Sequence, residues 1–162
     1  MNSTSTDLII RMTLTSWESQ NKRFIDLIEK LTDEALHREI APGRNTGVYL
    51  LGHMIASHDF MLPLMGLGEK KYPEMEDVFI RSPDKSGRDF PSVAELRKRL
   101  LDATAELNAQ FGKLSEADWL SRHNAVSEED FVKEPMRNKL NIVISRTVHL
   151  ASHMGQMLYL KS

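Results

Sequence analysis

The chain has 162 residues, 41% hydrophobic and 27% charged, a length and composition that suit a globular domain with a real core. Its formal net charge of −2 provides no basic field, so binding along a nucleic-acid backbone is disfavoured. The chain contains no cysteine, which removes disulfides, thiolate ligands and a catalytic thiol together and leaves histidines and carboxylates as the metal ligands.

The opening MNSTSTDLIIRM lacks a basic region followed by a sustained apolar run, and no segment approaches the roughly 18 apolar residues of a membrane span. The expected location is the cytoplasm. From about Thr6 to Leu31, the positions Ile10, Leu14, Trp17, Asn21, Phe24, Ile28 and Leu31 alternate by four and three, the spacing of a buried helical seam. Asn21 alone breaks it. Two readings stand: a register-setting or surface-edge residue, which is preferred, and a partner for a buried histidine.

A short turn at Thr32 to Ala35 leads to Pro42 and Gly43, after which Asn45 or Thr46 caps a second helix ending near Met65. One line of this helix runs through Leu50, His53, Ser57, Phe60 and Leu64. His58, five residues beyond His53, points well away from it at about 100° per residue. It joins Met54, Met61 and Met65 on a face suited to a neighbouring helix or a second subunit. Pro63 is expected to kink or shorten the helix.

Residues 66–91 are rich in Gly, Pro and charge, and a connection this long reads as a lid, a binding loop or a crossover. Met75, Val78, Phe79 and Ile80 suggest that part of it packs down. Ser92 to Glu95 reads as a capping box opening a third helix, whose buried line is Val93, Leu96, Leu100, Ala103, Leu107 and Leu114. Ser115 to Asp118 repeats the capping signature ahead of Trp119, and residues 121–138 read as polar and irregular. His37 and His123 fall in connections, as surface histidines. With a fourth helix from about Asn138, the pattern predicts one all-α domain over 1–162. Its fold is a four-helix bundle with long connections after the second and third helices, which would allow a crossover.

The fourth helix carries the unusual chemistry. Stepping by four and three gives Ile142, Arg146, His149, His153, Gln156 and Leu160, a seam that is polar in its middle. His149 and His153 stack one turn apart on one face, and buried imidazoles need a metal, a hydrogen-bond network or a substrate as partner. If the second and fourth helices face each other, His53 joins the pair. Three imidazoles would leave open positions on a cation, for which Zn²⁺ and Ni²⁺ rank ahead of Fe²⁺ and Mn²⁺. The spacing alone leaves a satisfied polar core as the competing reading. No Glu follows His149 as in the zinc-protease H-E-x-x-H, so a peptidase is disfavoured.

The stretches TGVYLLGHM (46–54) and HLASHMGQ (149–156), with APGRNT (41–46) ahead of the first, resemble the signatures of the DinB/YfiT-like metalloprotein superfamily. The order of elements is similar over nearly the whole chain. The resemblance implies a four-helix bundle, often a homodimer, that binds a divalent metal through His53, His149 and His153. Gln156 matches the signature but receives no catalytic role. Some relatives transfer low-molecular-weight thiols such as bacillithiol or mycothiol, or use one as cofactor in an isomerisation. The implied function is thus metal-dependent chemistry on a small molecule, with thiol transfer as the concrete form. Metal-dependent hydrolysis, with Glu18 as a faint candidate base, and a non-catalytic metal- or ligand-binding dimer are the alternatives.

Overall fold

A computed structural model describes residues 4–161. The elements, in order, are α1 (Ser5–Lys30), α2 (Asp33–His37), α3 (Gly47–Met65), α4 (Glu74–Glu76) running into a π-helical turn at Asp77–Arg81, and α5 (Val93–Phe111). They continue with α6 (Glu116–Trp119), α7 (Glu128–Lys133), α8 (Lys139–Met157) and a 3-10 turn at Leu158–Lys161. No strand occurs among the described residues; the two bridges, Glu39 with Thr46 and Arg122 with Asn138, are isolated pairs.

The four long helices form the predicted bundle. α1 packs on α5 and α8, and α3 packs on the same two helices, so α1 and α3 lie across a diagonal. Successive long helices are therefore not always neighbours: the steps from α1 to α3 and from α5 to α8 cross the bundle, whereas the long connection after α3 joins two helices that pack together. The helices start where their caps dictate. The hydroxyls of Thr46 and Ser92 accept the backbone N–H of Tyr49 and Glu95, and the Asn138 side chain accepts that of Asn141. Ser92 makes only half of its expected capping box, because the Glu95 carboxylate turns to Arg99 instead. Ser115 and Asp118 complete theirs.

Pro63 does not shorten α3, which runs through it to Met65 and ends on Gly66 in the left-handed region at φ 69°. Asn124, from the connection before α8, takes up two of the freed carbonyls, Pro63 O through its side chain and Leu64 O through its backbone. That connection also contains α7, which its polar sequence concealed.

Two apolar clusters fill the bundle. One gathers Phe24, Leu50, Ile55, Phe79, Leu100 and Met157; the other gathers Trp17, Met61, Met65, Leu107, Phe111 and Trp119. The buried polar side chains Asn21, Ser57, His58 and Thr104 fall, in chain order, between the members of the two clusters on α1, α3 and α5. Asn21 is therefore neither a surface-edge residue nor a lone register device. Its Oδ1 accepts a hydrogen bond from His58 Nε2 at 2.7 Å, and its Nδ2 donates to Trp17 O. The Met face of α3 is also inside the chain: Met54, Met61 and Met65 are buried, and His58 packs on the Trp17 ring at 4.8 Å. It is not available to a second subunit.

The connection after α3 is tied down by Asp59. Its two carboxylate oxygens accept the backbone N–H groups of Lys71 and Tyr72 at 2.8 and 2.9 Å, although the side chain is almost fully buried. Asp59→Ala leaves those donors without a charged acceptor and is expected to cost about 2 kcal/mol. Hydrogen exchange should accelerate at the Lys71 and Tyr72 amides, while the centre of α1 stays protected.

Candidate metal centre

The connection that Asp59 anchors delivers Phe79 to the flank of α3. The Phe79 ring lies over Gly52, where an added Cβ would stand 2.3–2.5 Å from three ring atoms, so only glycine fits. With the ring seated there, the Phe79 carbonyl accepts the Nδ1–H of His53 at 2.8 Å. Tyr49, one turn earlier, stacks beside His53 and donates its hydroxyl to Ser82 O at 2.7 Å, holding the same strap.

With its Nδ1 engaged, His53 turns the Nε2 lone pair towards α8. His149 Nε2 is 3.3 Å from His53 Nε2 and 3.0 Å from His153 Nε2. One ring nitrogen from each of the three residues lies within 4.8 Å of the others. His153 repeats the device of His53: its Nδ1 donates to Gln156 Oε1 at 2.8 Å and leaves Nε2 facing inward. Gln156 thus orients a ring and needs no catalytic role.

Two of the rings, His149 and His53, are biased towards the neutral form. Burial pushes His149 down to about 4, helped by His153, His53 and Arg146. Burial also lowers His53, against the opposing pull of the Phe79 carbonyl. Neutral imidazoles with Nε2 lone pairs converging on one point fit a divalent cation. The donor set is therefore chemically suited to a metal, and it offers three ligands with no carboxylate among them.

Beside His53 and His149 lies a pocket of about 280 Å³, lined also by Ser57, Phe60, Glu76, Ile80 and Arg146. Glu76 and Ile80 come from the α4 region, where no helical periodicity marks them, and the Phe79 carbonyl is invisible to any side-chain motif. Arg146 extends the polar seam of α8 into the pocket wall. Glu18 is exposed on α1 and is not among the residues lining this pocket, so it cannot serve as the base of a hydrolase here. His37 is exposed, with Nδ1 2.7 Å from Asp33 O, and His123 is half-buried near Arg137; neither belongs to the cluster.

A sequence profile described as the DinB superfamily matches residues 16–157. The chain belongs to the DinB superfamily. A crystal structure of a conserved protein from Enterococcus faecalis shares the fold, with a TM-score of 0.64, 15% identity and 93% of each chain covered. No curated protein matches. In this DinB chain, the two signature stretches are the ones that meet: the first supplies Gly52 and His53, and the second supplies His149, His153 and Gln156. At Gly155 of the second stretch an added Cβ would meet nothing within 4 Å, so packing does not demand a glycine there. No helix among the described residues is long and apolar enough to cross a membrane.

Proposed function

We propose that this DinB-superfamily chain is a divalent-metal-dependent enzyme for a small molecule, with His53, His149 and His153 as ligands and thiol transfer as its reaction. The observation that carries the reading is the convergence of three Nε2 atoms at the wall of an accessible pocket. A bound divalent cation would act there as a Lewis acid, favouring the thiolate form of an incoming thiol. Zn²⁺ and Ni²⁺ suit an all-imidazole set better than Fe²⁺ or Mn²⁺.

The protein's own part is orientation. Phe79 O and Gln156 fix two rings, burial disfavours the charged forms of His53 and His149, and Phe60 and Ile80 line the pocket. The thiol proton leaves to solvent and sulfur bonds to an electrophilic carbon. The leaving group departs with the electron pair of its broken bond. Thiol transfer is preferred to hydrolysis because the pocket lacks a free base. Its carboxylate, Glu76, is held by Lys70 and Arg81, whose hydrogen bonds keep it below the usual carboxylate range.

Metal-loaded protein should conjugate a low-molecular-weight thiol to a generic electrophile faster than the folded His149→Ala variant does. Equal rates would refute thiol transfer, and thiol-independent ester turnover would favour hydrolysis. We also propose a cytoplasmic homodimer. With the Met face buried, the support comes from exposed Met12, Ile144 and Val148, which line one groove with Thr13, Ser16 and Thr147. Light scattering should give twice the chain mass, and Val148→Glu should return the monomer mass; a monomeric parent contradicts this.

A further inference from the structure

Arg146 is the arginine that lines the pocket, and it differs from arginines with carboxylate partners. Arg81 pairs with Glu76, Arg97 with Asp33, and Arg99 with both Glu74 and Glu95. Arg146 is half-buried against the pocket wall one turn before His149, yet among the described residues no acceptor or carboxylate engages its guanidinium. An arginine that gives up hydration without gaining a partner is uphill in free energy. The cost would rise with a divalent cation beside it, since two like charges would then share a pocket of about 280 Å³. Glu76 cannot offset this charge, because Lys70 and Arg81 already claim it.

We propose that Arg146 is the subsite for a carboxylate carried by the molecule that the metal centre binds. The inference deepens the metal-enzyme reading and rests on it. A guanidinium presents two parallel N–H donors that match the two oxygens of a carboxylate. A ligand whose thiol reaches the histidine centre and whose carboxylate reaches Arg146 would place a negative charge between two positive ones. Phe60 and Ile80, the apolar lining, suit a short aliphatic spacer, and the pocket volume limits the ligand to a small molecule. The ligand class is thus a small acidic thiol, in preference to a neutral one.

The test uses the full chain loaded with Co²⁺, whose visible d–d absorption reports metal binding and ligand exchange without any turnover. The probes are 3-mercaptopropionate and 2-mercaptoethanol, two small thiols of which only the first carries a carboxylate. The parent should bind the acidic thiol roughly tenfold more tightly or better, as expected for a charge-assisted bidentate contact. Arg146→Gln, checked for folding by circular dichroism, should keep its Co²⁺ stoichiometry and its 2-mercaptoethanol affinity but lose the preference. Arg146→Lys should recover only part of it.

A preference that survives in Arg146→Gln would mean that the carboxylate chelates the metal, and would overturn the proposal. Equal affinities in the parent, or a cobalt spectrum that neither thiol alters, would overturn it as well. Absence of any cobalt spectrum would instead refute the metal reading beneath it, so the two failures are distinguishable.

Discussion

Gly52→Ala is expected to destabilise the fold and weaken the metal centre together. In an open helix the same change would stabilise by about 1 kcal/mol, because alanine loses less conformational freedom. Here the new Cβ would meet Phe79 ring atoms at 2.3–2.5 Å, and the Phe79 side chain is fully buried. Relief requires the ring and its backbone to shift, and overpacking of this kind costs about 1–3 kcal/mol. The same shift withdraws the carbonyl that orients His53, and loss of such an orienting partner weakens metal affinity by roughly 10- to 100-fold. Gly155→Ala is the internal control. Nothing stands within 4 Å of its added Cβ, so a gain of about 0.5–1 kcal/mol is expected. Urea midpoints and metal dissociation constants for both variants decide the matter; a stabilised Gly52→Ala with unchanged metal affinity would refute the seating of Phe79.

Acid should destabilise the metal-free protein before carboxylates titrate. His58 is fully buried, and desolvation pushes it down to about 4, against the opposing effect of the Met54 carbonyl. A folded-state value below the unfolded value of 6.5 means that its contribution is fully present above pH 6.5. Between 6.5 and about 4 the unfolded chain takes up a proton that the folded chain refuses, so stability falls, and below about 4 this contribution levels off. The loss integrates to about 3 kcal/mol, and His149, also near 4, acts in the same direction to a lesser extent because it is only half-buried. His58→Gln should have a shallower dependence of unfolding free energy on pH between about 7.5 and about 4.5. A parent with equal stability at both ends contradicts a neutral buried His58.

The bundle is legible in the sequence because its four helices carry long four-three seams, and caps such as Thr46 and Asn138 mark their starts. His149 and His153 are legible as a pair because helical spacing aligns them before any tertiary contact is known. Bringing His53 to them needs the assumption that α3 faces α8, and the structure shows that contact. Residues 66–91 hide the rest. The placement of Glu76, Phe79 and Ile80 depends on Asp59 holding two backbone amides and on a ring filling the space left by Gly52, and neither contact has a sequence period. Asn21 departs from its preferred reading for a similar reason: its partner, His58, lies 37 residues away on a diagonal helix. The Met face of α3 is ambiguous in sequence because a buried face and a subunit interface have the same composition.

The most direct measurement is the metal content of purified, tag-free protein beside folded His53→Ala, His149→Ala and His153→Ala variants. Convergence of the three rings predicts near one divalent metal per parent chain and its loss in each variant. A parent that stays metal-free after reconstitution with Zn²⁺ and Ni²⁺, or variants that retain the full complement, would contradict the three-histidine centre.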